Sequence, residues 1–496
     1  MSDGATEVNP NVAWSATGGV VTTTGVYTAG TTPGSFSISA TAGRLTAHSI
    51  ITINRVPPPT PGGGAYLYPL RSEPTGRYLV DQNGTPFFLT GDAAWSLIGQ
   101  LSDQDADTYL SNRQQLGFTL VLVSLLEHKF STNAPANIYN IRPFSGKAFT
   151  TPNEAYFAHA DYVIQSAAQK GIVVLLAPDY LGYGCGDDGW CVETQAATTA
   201  EMQAWGHYVG SRYKNYDNIV WVIGGDMAPT PVLDKMQAMV DGIRSVDTGH
   251  PFTAHNARGQ MAITPWSGAS WLNVNNIYGD GVTDYMAALT AYDVTPTLPF
   301  FLIESRYDGE GATAQSLRYQ SYGTVLSGGF GHIYGNCPIW NFSAPSARTF
   351  CPGAPAWQGQ LNNQGALNMF YLRQLFDSRH WYNLVPDVSH VALTEGSGIA
   401  GQTDYVTAAY GSDGSSLIAY LPTSRTVTVS GSRLAGGSMT AWWYHPGTGI
   451  ATAIGTYSTT GTRSFTPPAS GDWVLVVDGS NFGFPAPGQV RTSERH

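Results

Sequence analysis

Two acidic residues close apolar runs of the same kind. Asp226 ends the run in NIVWVIGGDMAP (218–229), after two glycines, and Glu304 ends the run in PFFLIESRYDG (299–309). Two carboxylates in one pocket are the usual equipment for breaking a glycosidic bond. One, protonated, gives its proton to the leaving oxygen; the other, ionised, attacks the anomeric carbon or activates water. Other apolar runs end in a polar and aromatic set: Asp92 and Trp95, Glu127 and His128, Asp179 and Tyr180, His255 and Asn256, Asn275 and Tyr278, Tyr307, then Tyr334 and Asn336. Taken singly, each reads more readily as a helix cap than as a ligand, because Asp and Asn commonly follow a buried strand. Taken together, they describe a neutral, aromatic-walled pocket in which Tyr and Trp offer flat faces to sugar rings and Asn and His supply hydrogen bonds. Rival chemistries lack their signatures. There is no G-x-S-x-G elbow, no H-E-x-x-H helix and no Lys-Ser/Thr phosphate cradle. The acidic residues and histidines lie on different runs with no diagnostic metal spacing, so neither a metal nor a cofactor is expected.

The elements that must hold these residues lie between 66 and 387. Eight strand-like runs occur there: PFFLTGDAAW (86–95), TLVLVSLLE (119–127), IVVLLAPDY (172–180), NIVWVIGGD (218–226), PFTAHNA (251–257), WLNVNNIYG (271–279), PFFLIESRY (299–307) and GFGHIYGN (329–336). Several are continuously apolar, as parallel strands buried on both faces should be. Helical patterns separate most of them, including NEAYFAHADYVIQSAAQKG, TAEMQAWGHYVGSRYKN, and a segment opening on Ser102 as N-cap and closing at Gly117. Eight alternations predict an α/β fold of the (β/α)8 TIM-barrel kind, whose working residues sit at the carboxyl ends of the strands. Strands 4 and 7 lie three places apart around the ring, so Asp226 and Glu304 are expected to face each other across its mouth. An open doubly wound sheet is the alternative, but it would want a Gly-rich phosphate loop after its first strand, and none is present.

Short alternating strands flank this region. Residues 1–56, with SFSISA and SIITI between Gly/Thr turns, predict an immunoglobulin-like β-sandwich; 57–65 reads as a Pro/Gly linker. Residues 388–482, with SLIAYLP, TVTVSG, MTAWWYHP and DWVLVVD, predict a second β-sandwich, and 483–496 a flexible tail. Cys185 with Cys191, and Cys337 with Cys351, are each close enough in sequence to form a local disulfide, which points to an oxidising compartment. No run is long and apolar enough to span a bilayer. The opening MSDGATEVNP lacks an export-leader pattern, which leaves a cytosolic protein with four unpaired thiols or a chain without its leader; the cysteine pairs favour the second, so the expectation is a secreted or periplasmic protein. A net charge of −11 disfavours nucleic acid and anionic membranes as partners. Only 12% of residues are charged, which suits a neutral polymer as partner.

FFLTGDAAWSLIGQLSDQDADTYLSNRQQLGFTLV resembles the opening of the apiosidase-like glycoside hydrolases, family 140 and its relatives. WVIGGDMAP and IESRYDG resemble that family's strand 4 and strand 7 motifs. AWWYHPGTGIATAIGTYSTTGTRSFTPPASGDWVLVVD is similar to the C-terminal module often attached to it, which carries a collagen-binding label. The four motifs occur in order over about 66–479. The resemblance implies a hydrolase that releases apiose, or a related furanose, from a plant glycan or glycoside. It further implies Asp226 as acid/base and Glu304 as nucleophile of a retaining mechanism, with Asp92 and Trp95 lining the sugar subsite. His445 stands where relatives often carry Asp, and the loop YGCGDDGWC is particular to this chain. Two readings compete with it: another furanosidase, such as an arabinofuranosidase, and a non-catalytic glycan- or matrix-binding protein, which would have no need of both carboxylates.

Overall fold

A computed structural model describes residues 11–28, 34–53, 66–344 and 351–489. The expected linker at 57–65 and the end of the expected tail, 490–496, lie outside them. The chain divides into two compact units, Met1–Thr60 and Pro61–His496. In the first, Ala13–Ala16, Gly34–Ala42 and Leu45–Ile53 form a three-stranded antiparallel sheet, and Val20–Val21 pairs with Tyr27–Thr28.

The second unit holds the barrel. Its parallel strands are β1 (Leu89–Ala93), β2 (Leu120–Ser124), β3 (Val173–Ala177), β4 (Ile219–Gly224), β5 (Phe252–His255), β6 (Asn275–Tyr278), β7 (Phe300–Glu304) and β8 (Gly331–Tyr334). Their hydrogen-bonded order is β5-β4-β3-β2-β1-β8-β7-β6. Side chains bridge the seam between β5 and β6: Asn276 donates to the Ala254 carbonyl at 2.7 Å and to Thr253 Oγ1 at 2.8 Å. The outer helices are α1 (Asp103–Gln115), α2 (Glu154–Gln169), α3 (Thr199–Tyr213), α4 (Leu233–Arg244), α5 (Asp284–Tyr292), α6 (Ala314–Leu326) and α7 (Gln364–Asp377). Ser102 caps α1 by accepting from Asp105 N–H at 3.2 Å, and Gly117, at φ 72°, turns the chain towards β2. Thr198 and Glu201 form a reciprocal capping box on α3.

Strand parity sorts the barrel's side chains. Leu120, Leu122, Val173, Leu175, Val220 and Val222 share one core inside the ring. Val121, Val123, Val174, Leu176, Trp221 and Ile223 join the helices in another.

The C-terminal module is a six-stranded antiparallel sheet (Leu384–Pro386, Thr407–Gly411, Ser416–Leu421, Trp473–Gly479, Ser438–His445, Ile450–Ser458) against a three-stranded one (Leu393–Glu395, Val427–Ser430, Thr462–Phe465). Its first strand starts at 384, slightly before the expected boundary. Leu417, Ala419, Trp443, Leu475 and Val477 fill the space between its sheets. The opposite face, with Ile418, Tyr420, Tyr444, Val474 and Val476, shares a core with α6 and α7 of the barrel. Burial on both faces explains why WVLVV is continuously apolar although its sheet is antiparallel. Arg318 pairs bidentately with Asp472 at 2.7 Å, and Arg379 with Asp478 at 2.8 Å, both inside this interface. Residues 483–489, expected as flexible tail, are tied down instead. Arg379 donates to the Pro485 carbonyl at 3.0 Å, and Gly488 N–H donates to Ser378 Oγ at 3.0 Å.

Candidate active site

The carboxyl ends of the strands surround a cavity of about 660 Å³, within the range of small-molecule sites. Asp226 and Glu304 both line it, with Trp95, Tyr180, Tyr278, Tyr307 and Trp340 as aromatic walls.

Glu304 reaches the cavity through a β-bulge. Ile277 pairs with Leu302 but Tyr278 pairs with Glu304, so Ile303 is the extra residue. Without it, parity would point Glu304 at the helices; the bulge turns it inward, a common use of bulges beside active sites. Both its oxygens are held. Oε2 lies 2.8 Å from His255 Nε2, and Oε1 accepts from the Tyr278 hydroxyl at 3.2 Å. Burial, together with the negative charge of Asp226, pushes its carboxyl above the usual carboxylate range; the two donors act in the opposite direction.

Asp226 follows Gly224, at φ 88°, and itself adopts φ 58°. Asp is among the few residues that tolerate this left-handed backbone, which recurs at functional sites. Its N–H donates to His255 Nδ1 at 3.1 Å, and its Oδ2 accepts from the Tyr180 hydroxyl at 2.9 Å. Nδ1 also lies 3.2 Å from the Asn256 carbonyl; a neutral ring accepts from Asp226 N–H and turns Nε2–H to Glu304, whereas a protonated ring donates from Nδ1 to that carbonyl and from Nε2 to Glu304. Burial opposes a second proton on this ring, but the charges of Glu304 and Asp226 outweigh it and raise its affinity. One imidazole therefore ties both carboxylate-bearing strand ends together. Trp95 packs against the Tyr180 ring at 5.1 Å and the His255 ring at 5.5 Å, and its Nε1–H donates to Tyr307 Oη at 3.3 Å.

The other sequence-predicted residues divide. Glu127 borders the cavity, but its carboxylate accepts from Ser96 Oγ at 2.6 Å and from the backbone N–H groups of His128, Lys129 and Phe130, so it organises the loop after β2. His128 stands outside the cavity lining and touches Glu193 at 3.2 Å and the Asp187 carbonyl at 2.8 Å. Three residues expected at the sugar face elsewhere. Asp92 is fully buried towards α1, bound to Arg113 Nε and the Tyr109 hydroxyl at 2.6 Å each. Asp179 is sealed against Thr194 at 2.8 Å, and burial pushes its carboxyl up to about 7. Asn275 turns away from the ring interior to accept from Ile263 N–H at 3.3 Å. Asn256 and Tyr334 likewise bond to loops, the first to the Met261 and Ala262 carbonyls and the second to Asp308.

Sequence reasoning missed Arg258, Glu310, Trp340 and Tyr183, which line the cavity from the segments that follow β5, β7, β8 and β3 respectively. Arg258 donates to Tyr278 Oη at 3.3 Å, and Trp340 Nε1–H donates to Glu310 Oε1 at 3.0 Å. Only the alternation of strands and loops could have hinted at them. Both disulfides form, Cys185–Cys191 and Cys337–Cys351. Among the described residues, one group has metal-ligand spacing, Glu310 with Cys337 and Cys351, but its sulfurs are bonded to each other and offer no thiolate.

Comparison with known proteins agrees with this geometry. The family described as "Apiosidase-like, catalytic domain" matches residues 73–383. The chain belongs to the apiosidase-like family. The description "Putative collagen-binding domain of a collagenase" matches 385–478, the module whose barrel-facing side shares a core with the barrel. This apiosidase-like protein is similar in structure to a protein titled glycoside hydrolase. That match has 24% identity and a TM-score of 0.75, covering 84% of this chain and 99% of the other. It is also similar to a glycoside hydrolase family 5 structure from Bacteroides vulgatus, with 25% identity and a TM-score of 0.73, covering 84% and 96%. No curated protein matches it. It is an O-glycoside hydrolase acting on carbohydrate. Among the described residues no helix is long and apolar enough to cross a membrane.

Proposed function

We propose that this apiosidase-like enzyme releases a terminal furanose, β-linked apiose in the first instance, from plant glycans or plant glycosides, with retention of configuration. The observation that carries the mechanism is the double restraint on Glu304. Two donors, His255 and Tyr278, favour its ionised form and aim it into the cavity, as a nucleophile requires. Asp226 has one oxygen held by Tyr180 and serves as acid/base. It protonates the glycosidic oxygen as Glu304 attacks the anomeric carbon. It then takes a proton from the water that releases the sugar. Burial and the negative charge of Asp226 raise the proton affinity of Glu304, and the two donors counter that rise. The choice of apiose rests on family membership. The two disulfides support a secreted or periplasmic enzyme.

The test is a product screen over apiosides and arabinofuranosides, with the freed sugar and its first-formed anomer identified by NMR. Release of apiose as the β anomer is expected; release of arabinose, or of the inverted anomer, overturns the sugar or the stereochemistry respectively. Glu304→Ala should abolish turnover while leaving sugar binding intact. Asp226→Ala should lose about 10²–10⁴-fold on alkyl glycosides and far less on nitrophenyl glycosides, which depart without a proton. Equal losses on both would remove Asp226 from the acid role.

A further inference from the structure

The loop between β3 and α3 is built as a rigid projection. Trp190 N–H donates to the Tyr180 carbonyl at 2.8 Å, which closes its neck, and Gly182 and Gly189 meet there with backbone in direct contact. Cys185–Cys191 ties the tip back to the base. Two residues after β2 brace the outer side. Lys129 Nζ binds Asp187 at 2.8 Å and Asp188 at 2.7 Å; His128 takes the Asp187 carbonyl at 2.8 Å and packs edge-on against Trp190 at 4.8 Å. All this holds one aromatic at the cavity mouth. Tyr183 lines the cavity yet remains 75% exposed, and among the described residues it makes no side-chain hydrogen bond.

The side on which it stands is informative. The same loop begins with Tyr180, which holds Asp226, whereas Glu304 is held from the β5 and β6 side by His255 and Tyr278. In the displacement set out above, the leaving oxygen departs towards the acid, which is towards this loop.

We propose that Tyr183 is the stacking platform of a leaving-group subsite, and that the enzyme selects aglycones presenting a flat apolar face at the glycosidic oxygen, whether a sugar ring or an arene. This rests on Asp226 as the acid. The platform is preorganised, so stacking acts without the entropy loss of ordering a mobile loop.

The test uses the full chain and glycosides of whichever furanose the product screen identifies. Methyl and benzyl glycosides carry alcohols that leave about equally well, and only the second has a face to stack; a glucosyl-linked disaccharide supplies a sugar face. Tyr183→Ala should raise KM for the benzyl or disaccharide substrate about five- to ten-fold, the size expected of one aromatic contact. It should leave the methyl glycoside within two-fold and kcat little changed. Tyr183→Phe and Tyr183→Trp should behave as wild type, because the ring and not the hydroxyl acts. A loss confined to benzyl identifies an arene subsite, and one confined to the disaccharide a sugar subsite. Equal changes on all three substrates, or none on any, overturn the proposal. The Asp226→Ala leaving-group series reads the acid separately, so failure of one assignment is distinguishable from failure of the other.

Discussion

His255 joins two duties that substitution can separate. Asn at 255 places its amide oxygen where Nδ1 now accepts from Asp226 N–H, but cannot reach Glu304. Gln places a donor where Nε2 now meets Glu304. His255→Asn therefore removes a donor that favours the ionised nucleophile. The Glu304 pKa, already raised by burial and Asp226, rises further, and the acid limb of the kcat/KM profile moves to higher pH. His255→Gln should leave that limb near its wild-type position. A pH–rate series on the two variants checks this; identical profiles would show that the Nε2–Glu304 contact does not tune the nucleophile. At this scale the sequence was legible in residue type but less so in direction. Asp226, Trp95, Tyr180, Tyr278 and Tyr307 reach the cavity, while Asp92 and Asn275 do not, because successive residues of a strand face opposite sides. Ala93 and Trp95 share the inner core, whereas Asp92 between them and the helices meets Arg113. A count from the strand's inward residues would have excluded both outliers. The same count would have excluded Glu304, since the bulge at Ile303 that reverses it leaves no mark in PFFLIES.

The elements that aim these residues are turns at strand ends more than the strands themselves. At the end of β4, the chain must pass Gly224 and Gly225 before Asp226 can stand under Tyr180. A methyl group on Gly225 would overlap the Tyr180 ring. Gly225→Ala should displace that ring and with it the hydroxyl that holds Asp226. Activity on alkyl glycosides should fall about as far as in Asp226→Ala, about 10²–10⁴-fold, while circular dichroism and thermal unfolding stay close to wild type. Ala at Gly259, exposed with open space around its Cα, offers a control for the cost of losing a left-handed glycine, about 1 kcal/mol. Near-normal turnover in Gly225→Ala would show that Tyr180 does not need its present place. The barrel strands were legible as continuous apolar runs between helical patterns. Loops carry no such periodicity, which is why Tyr183, Arg258 and Glu310 were found only in three dimensions.

Across the whole molecule, the two flanking β regions differ in their relation to catalysis. The cavity is built entirely from residues of the second unit, so a chain beginning at Pro61 should keep kcat/KM within about two-fold. Loss of activity in that chain, folded and monodisperse, would give the N-terminal unit a role. A chain ending at 383 should not yield a soluble barrel. It would uncover Tyr319, Tyr322, Val325, Leu326 and Phe376, which share a core with the C-terminal sheet. At about 1.5–3 kcal/mol for each fully buried apolar side chain, that rivals the whole net stability of a typical domain, about 5–15 kcal/mol. Size-exclusion chromatography of the shortened chain checks it, and a monomeric, active barrel would contradict the shared core.

The two buried guanidinium pairs set an order in time. Arg318 precedes Asp472 by 154 residues and Arg379 precedes Asp478 by 99. At roughly 5–20 residues per second of synthesis, each cation waits roughly 5–30 s for its partner. An unpaired guanidinium resists leaving water, so the barrel face that carries Arg318 and Arg379 stays solvated until the strand Trp473–Gly479 and Asp472 before it have left the ribosome. The strand Trp473–Gly479 is thus the latch on the barrel's outer face. A message cut short before it is read yields neither a lesser enzyme nor a free-standing barrel, but a chain fit for degradation.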